Sequence, residues 1–125
     1  MQRSFFTIGA FSALLCVALG AFGAHSLKLP EHYASIYQTA VEYHMAHSLA
    51  LLVTAFAWEK AARKSFAQWA GRLFIIGIVL FSGSLYVLSI TEIGVLGAIT
   101  PLGGVAFLTG WALLGLSVHS ARAKK

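Results

Sequence analysis

The stretch TAVEYHMAHSLALLVTAFAW, residues 39–58, decides the fold because it can cross a membrane only if it takes polar residues in with it. Eleven residues separate His47 from Glu59, whereas a helix needs about 20 residues, at about 1.5 Å each, to cross the hydrocarbon core. Counting back from Glu59 puts Glu42 about 5 Å and His47 about 12 Å below one membrane surface. Because His44 lies between these two residues, the sequence predicts a membrane helix carrying an acid and two histidines.

The composition agrees with a membrane protein. Of 125 residues, 58% are hydrophobic and 10% are charged, whereas about a quarter are charged in a typical soluble domain. Four apolar segments take up most of the length and leave no room for a separate soluble domain. We therefore predict one all-α domain over residues 1–125, a four-helix transmembrane bundle with spans at about 5–24, 39–58, 73–90 and 102–118.

Local signals place the ends of these helices. The first span also has the ingredients of a cleavable signal peptide, but its twenty residues without a charge are enough to cross a membrane, and we expect it to be retained. A 3.6-residue apolar period after Pro30 predicts an amphipathic helix that runs straight into the second span. A capping-box pattern at 65–68 predicts the start of the third helix, and Thr100-Pro101 predicts the start of the fourth.

The distribution of Lys and Arg predicts the orientation. Eight of them fall on the side that carries the 59–72 connection and both termini, and only Lys28 falls on the other side. The eight are Arg3, Lys60, Arg63, Lys64, Arg72, Arg122, Lys124 and Lys125. The positive-inside rule then predicts both termini in the cytoplasm, and so uneven a count argues against dual-topology insertion. It also accounts for the net charge of +5 without nucleic acid, which we do not expect as a partner.

This topology gathers polar residues in the outer half of the bundle. Ionisable groups in a bilayer cost about 2.5 to 3.5 kcal/mol each on insertion scales, so they indicate function. The predicted candidate cluster consists of His25, Gln38, Glu42, His44, His47, Ser84, Tyr86 and Ser89. The helical period turns both imidazoles of the second helix toward the bundle. Glu42 lies about 160° around the helix from His44, so these two residues alone cannot chelate one ion.

Four segments of the sequence carry a family resemblance. They are GAFGAHSLK at 20–28, YQTAVEYHMAHSLALL at 37–52, FSGSLYVLSI at 81–90 and ITPLGGVAFLTGW at 99–111. Together they resemble the domain-of-unknown-function 423 family, small four-span membrane proteins that include the transmembrane protein 256-like proteins. The resemblance covers all four spans and implies the location and the architecture. It supplies no catalytic residues.

Several functions remain open at this point. The polar residues can simply hydrogen-bond across helices and fix their register. The protein can bind a lipid or a partner protein, for instance in a groove between the glycine-rich helices one and four. Alternatively, the same cluster can serve a small proton, ion or metal transporter or channel subunit, and His25, His44 and His47 can be combined as a metal site.

Among these, we predict a binding, scaffolding or accessory protein of the cell membrane, which is the inner membrane in a bacterium. Its expected partners are membrane lipids, with a partner membrane protein or a second copy of the chain as candidates. We expect no enzymatic activity, since the sequence has no nucleophile elbow and no zinc-protease signature, and Cys16 has no neighbouring base. We also expect no cofactor and no resident metal.

Overall fold

The computed structural model describes residues 2–119, and over that range it consists of four long helices without a strand. The helices are α1 (Gln2–His25), α2 (Glu31–Ala57), α3 (Lys64–Thr91) and α4 (Thr100–Val118). Within α3, a π-helical segment, Ile78–Gly83, lies between two α-helical parts, Lys64–Gly77 and Ser84–Thr91. Short 3-10 helices occupy Trp58–Lys60 and Gly94–Ala98. The predicted all-helical class is confirmed.

Within residues 2–119, three segments are long and apolar enough to cross a membrane, namely Gln2–His25, Lys64–Thr91 and Gly94–Val118. The helix α2 is not among them although its 27 residues extend over about 40 Å. Its polar residues, Glu42, His44 and His47, lower its hydropathy. The other helices leave large apolar side chains exposed. Such a surface matches a lipid environment, since soluble proteins rarely expose large apolar patches.

The helices α2 and α3 are the best buried of the four, and α1 packs on α2 while α4 packs on α3. The buried residues of α2 are Tyr37, Ala40, His44, His47, Ser48, Ala50, Leu51, Thr54 and Ala55. One side of α2 packs along α1 and another packs on α3, which in turn packs along α4. The main apolar core lies around Phe5, Leu51, Phe74 and Phe107.

Glycines allow the closest of these approaches. A Cβ on Gly9 of α1 would lie 2.9 Å from the backbone oxygen of Ser48 on α2. A Cβ on Gly103 of α4 would lie 2.4 Å from the backbone nitrogen of Phe81 on α3. The glycines of α1 and α4 therefore serve two different interfaces. The groove considered between helices one and four is not formed by their packing, because α1 packs on α2 and α4 packs on α3.

The predicted helix starts are correct in place and differ in detail. The helix α2 begins directly after Pro30 and continues without a break, as the apolar period predicts. The capping box at 65–68 does not form, because α3 already begins at Lys64 and has no side-chain cap. Instead, the Lys64 Nζ donates a hydrogen bond to the backbone oxygen of Trp58 at 2.7 Å and so satisfies a carbonyl beyond the end of α2.

Two hydrogen bonds bring three chain segments to one end of the molecule. Gln2 Nε2 donates to the backbone oxygen of Ala55 at 2.7 Å, and the Arg63 amide donates to the backbone oxygen of Ser117 at 3.0 Å. The start of α1, the α2–α3 turn and the end of α4 therefore lie together. We call this the basic end, and among the described residues it carries Arg3, Lys60, Arg63 and Lys64. The predicted basic residues Arg122, Lys124 and Lys125 lie outside the described residues.

Candidate functional site

His44 joins three helices through its ring. Its side chain is buried on α2, where it follows Ala40 and precedes Ser48 on the inward face. The Nε2 atom lies 3.0 Å from Ser12 Oγ on α1, and the Nδ1 atom lies 2.9 Å from Tyr86 Oη on α3. His44 is buried and faces the bundle, as the helical period predicts.

The direction of each hydrogen bond around His44 follows from the neighbouring Ser48. The Ser48 hydroxyl donates to the backbone oxygen of His44 at 2.8 Å, since a carbonyl only accepts. Ser48 Oγ, 2.6 Å from Ser12 Oγ, then accepts the Ser12 proton. Ser12 Oγ in turn accepts a hydrogen bond from the His44 Nε2–H. The Nδ1 atom of a neutral His44 accepts a hydrogen bond from the Tyr86 hydroxyl. We call these four residues, Ser12, His44, Ser48 and Tyr86, the polar floor.

A groove runs over the polar floor between α1 and α3. Its volume is about 620 Å³, and apolar side chains form most of both walls. The lining residues are Thr7, Ile8, Phe11, Ser12, Leu15, Leu19, His44, Leu51, Ile75, Ile78, Val79, Gly83 and Tyr86. None of these residues, all within the described range, is an acid, a lysine or an arginine. We call this space the α1–α3 groove.

His47 belongs to a different part of the molecule. Its side chain is buried and stacks on the Phe107 ring at 3.5 Å between centroids. Trp111 Nε1 on α4 donates to His47 Nε2 at 2.9 Å, and His47 Nδ1 lies 2.8 Å from the Tyr43 backbone oxygen. Because an indole N–H only donates and a carbonyl only accepts, His47 is neutral with its proton on Nδ1. Nε2 thereby holds α2 against α4, and Nδ1 is occupied within α2 itself.

The serines of the third helix also separate. Ser84 Oγ lies 2.6 Å from Thr100 Oγ1, so this pair connects α3 with the start of α4. Ser89 Oγ donates to the backbone oxygen of Tyr86 at 2.8 Å, within its own helix. Neither serine contacts His44 or His47 in the hydrogen bonds of the described residues. Their position beside Tyr86 in sequence therefore does not make them part of the polar floor.

The remaining predicted residues lie on the outer surface of the helices. His25 is exposed at the end of α1. Gln38 and Glu42 are exposed on α2, where Gln38 Nε2 donates to Glu42 Oε2 at 3.4 Å. This placement agrees with the predicted angle between Glu42 and His44. The expected single cluster is therefore divided, and only His44 and Tyr86 of the eight residues meet at the polar floor.

The metal arrangement considered from the sequence is not assembled. His25 lies at the end of α1, and the rings of His44 and His47 face different partners. Within residues 2–119, no group of three histidine, cysteine or acidic side chains is placed to hold a metal ion. What the polar floor offers chemically is a set of directed hydrogen bonds beside an apolar groove.

Sequence reasoning missed Ser12, Ser48 and Trp111. Ser12 has a detectable signal, because it is a hydroxyl in the middle of an apolar span, where a polar group needs a partner. It also shares a helical face with Gly9 and Cys16, both buried against α2. Trp111 has no comparable signal, since tryptophan at a membrane interface is common without a hydrogen-bond partner in the bundle.

Comparison with known proteins points to one family. A family model described as "Protein of unknown function (DUF423)" matches residues 19–104. The UPF0382 membrane protein YwdK of Bacillus subtilis is 54% identical over 115 residues, covering 90% of this chain and 94% of the relative. A UPF0382 membrane protein of Staphylococcus haemolyticus is 44% identical over 118 residues, covering 93% and 95% respectively. No solved structure matches the chain.

Proposed function

The chain belongs to the DUF423 family of membrane proteins, and from this premise we propose that it is a lipid-binding accessory protein whose α1–α3 groove holds a lipid chain. It is an integral, multi-pass protein of the cell membrane. The observation that carries the proposal is an apolar groove of about 620 Å³ at the side of a membrane protein, with a few converging polar groups at its floor. Ligand sites commonly have this volume and this character.

The length and the lining of the groove match a lipid chain. Its lining on α1 extends from Thr7 to Leu19, which is about 18 Å at the helical rise. An extended hydrocarbon chain can lie along this length between the apolar side chains of both walls.

The proposal includes four crossings with both termini in the cytoplasm. The helix α2 connects the far end of α1 to the basic end, where α3 begins, so it has to run through the same thickness as its neighbours. Its polar residues can cross because α1 and α3 shelter His44. The clustering of Arg3, Lys60, Arg63 and Lys64 at the basic end supports its cytoplasmic location.

We do not assign the protein a catalytic role. Ser12 and His44 lie at the distance of a nucleophile and its base, but the Ser12 proton is directed to Ser48 rather than to the imidazole. Backbone amides within the surrounding helices are engaged in helical hydrogen bonds and do not form an oxyanion hole. A fluorophosphonate probe should accordingly leave Ser12 unlabelled.

Proton or ion transport, the second function considered from the sequence, has less support. The hydrogen-bond chain from Tyr86 passes through His44, Ser12 and Ser48 and then returns to the backbone oxygen of His44. Among the described residues this chain closes on itself and does not lead toward the basic end. His47 is likewise occupied by Trp111 and Tyr43.

The test uses a phosphatidylglycerol that carries a diazirine in one acyl chain, reconstituted with the protein in liposomes. After illumination, peptide mapping should find the label concentrated on the groove-facing residues of α1 and α3. Val79→Trp should reduce this labelling at least fivefold, because Val79 lines the groove and an indole there fills it. Val79 is 63% exposed, and the matched control is Val105→Trp, at a position on α4 that is 61% exposed.

Val105 is not among the groove residues, so Val105→Trp should leave the labelling of α1 and α3 unchanged. Equal labelling of all lipid-exposed helix faces would contradict the proposal. So would labelling of the groove that persists in Val79→Trp.

A further inference from the structure

We propose that the α1–α3 groove selects lipid chains that carry a hydroxyl group part-way along their length. This inference rests on the proposed lipid-binding function and goes further, because it names the chemical group that the polar floor recognises. Three observations support it: Ser12 and Tyr86 have unused hydrogen-bond acceptor positions, no charged side chain lines the groove around them, and both lie part-way along the groove.

The polar floor presents acceptors and no free donor. The Tyr86 hydroxyl donates to His44 Nδ1 at 2.9 Å, and its oxygen lies beside the Cys16 thiol, which itself donates to the backbone oxygen of Val41 at 3.3 Å. Ser12 Oγ donates to Ser48 and accepts from His44 Nε2, which leaves it one acceptor position. His44 has both ring nitrogens occupied. A ligand group that meets this floor has to donate a hydrogen bond.

Charge restricts the ligand further. No acid, lysine or arginine lines the groove, so a phosphate or carboxylate lowered to the polar floor would lose its hydration and gain neither a donor nor a counter-ion. An ammonium group would find acceptors but no negative charge. A neutral hydroxyl matches what is present, since it can donate to Tyr86 Oη or Ser12 Oγ.

The position of Ser12 sets where that hydroxyl has to be on the ligand. Ser12 lies five residues from Thr7 and seven from Leu19, which correspond to about 7.5 Å and 10.5 Å along the groove. Apolar walls therefore continue on both sides of the polar floor. A hydroxyl at the head of a lipid would leave one side of the groove empty, whereas a hydroxyl within the chain allows hydrocarbon to fill both sides.

The experiment is a competition against the diazirine lipid in the same liposomes, with three phosphatidylcholines that differ in one position. Their chains are stearoyl, 10-hydroxystearoyl and 10-methoxystearoyl. The hydroxylated lipid should displace the label at about a fivefold to tenfold lower mole fraction than the stearoyl lipid. One additional hydrogen bond contributes about 1 kcal/mol to the binding free energy, which corresponds to this ratio. The methoxy lipid, which accepts but cannot donate, should compete no better than the stearoyl lipid.

The outcomes separate this inference from the function on which it rests. If the stearoyl and hydroxylated lipids compete equally, the groove binds lipid but the hydroxyl selectivity is wrong. If the methoxy lipid competes as well as the hydroxylated one, the floor donates rather than accepts, and the inference is again overturned. If none of the three displaces the label, or if Val79→Trp leaves the competition unchanged, the proposed lipid site itself is wrong.

Discussion

His44 and His47 lie three residues apart on one helix, and their hydrogen bonds give them different roles. His47 accepts from Trp111 and stacks on Phe107, so both of its contacts hold α4 against α2. His44 is held by Ser12 and Tyr86 at the floor of an open groove. His47 therefore stabilises the packing of two helices, whereas His44 lies beside a candidate ligand site.

The bond between Trp111 and His47 predicts a measurable coupling. Trp111→Phe should destabilise the protein by about 1 kcal/mol, since hydrogen bonds between membrane helices average about 0.6 and reach about 1.7 kcal/mol. His47→Phe retains an aromatic ring beside Phe107 and removes the acceptor. The double variant should lose less stability than the sum of the two single variants, by about 0.5 to 1.5 kcal/mol. Reversible unfolding in mixed micelles gives the free energy of unfolding of the unmodified protein, the two single variants and the double variant.

Trp69→Phe is the matched control for this cycle. Trp69 is 51% exposed, and its indole donates no side-chain hydrogen bond within the described residues. Its replacement should change the free energy of unfolding by less than about 0.5 kcal/mol. Strictly additive losses in the Trp111 and His47 variants would mean that the bond does not contribute to stability.

At the same scale, the sequence predicts which side chains turn inward better than which ones meet. The periodicity of α2 correctly places His44 and His47 on the bundle side, whereas Glu42, which we expected in the same polar cluster, is exposed. It does not reveal that Ser12, rather than His25, completes the contact from α1. That pairing depends on how far α1 is displaced along α2, which the close approach at Gly9 sets and which no pattern within one helix encodes.

Among the helices, α3 has the feature that the sequence did not predict. It begins at Lys64, next to the start predicted from residues 65–68, but it contains the π-helical segment Ile78–Gly83. Apolar runs predict where a helix crosses the membrane, but they carry no signal for a π-helical segment within it. The π-helical segment lies directly before Ser84 and Tyr86, and such segments often occur at functional sites.

The interface between α3 and α4 depends on a missing side chain. Gly103→Ala should destabilise the protein by about 1 to 3 kcal/mol, because a Cβ at this position would lie 2.4 Å from the Phe81 backbone nitrogen. Backbone atoms cannot turn aside as a flexible side chain can, so α3 and α4 would have to separate. Thermal unfolding in detergent, monitored by circular dichroism, measures this loss of stability.

Gly115→Ala on the same helix provides the comparison. No atom lies within 4 Å of a Cβ built there, so the substitution should be neutral or stabilise the helix by up to about 1 kcal/mol. If both variants unfold at the same temperature, the close packing of Gly103 on Phe81 does not determine stability.

For the whole molecule, the separation of charge predicts its orientation. Cys16 is buried, so the chain already lacks an accessible thiol among the described residues. Lys28→Cys should react with a membrane-impermeant maleimide in intact spheroplasts, whereas Lys60→Cys should react only after permeabilisation. The reason is that Lys60 lies at the basic end and Lys28 at the opposite end.

The unmodified chain should remain unlabelled in both preparations, which controls for reaction at Cys16. Labelling of Lys60→Cys in intact spheroplasts would reverse the proposed orientation. Labelling of both variants in intact spheroplasts would indicate a population with two orientations, contrary to the uneven distribution of Lys and Arg.

The sideways opening of the α1–α3 groove has a consequence for how the protein would sense its ligand. A site that faces the bilayer is supplied by diffusion in two dimensions, so its occupancy follows the mole fraction of the lipid in the leaflet and not any aqueous concentration. Dilution into empty micelles would then strip the ligand even when the protein stays folded. The occupancy of the groove would therefore follow the lipid composition of the surrounding leaflet.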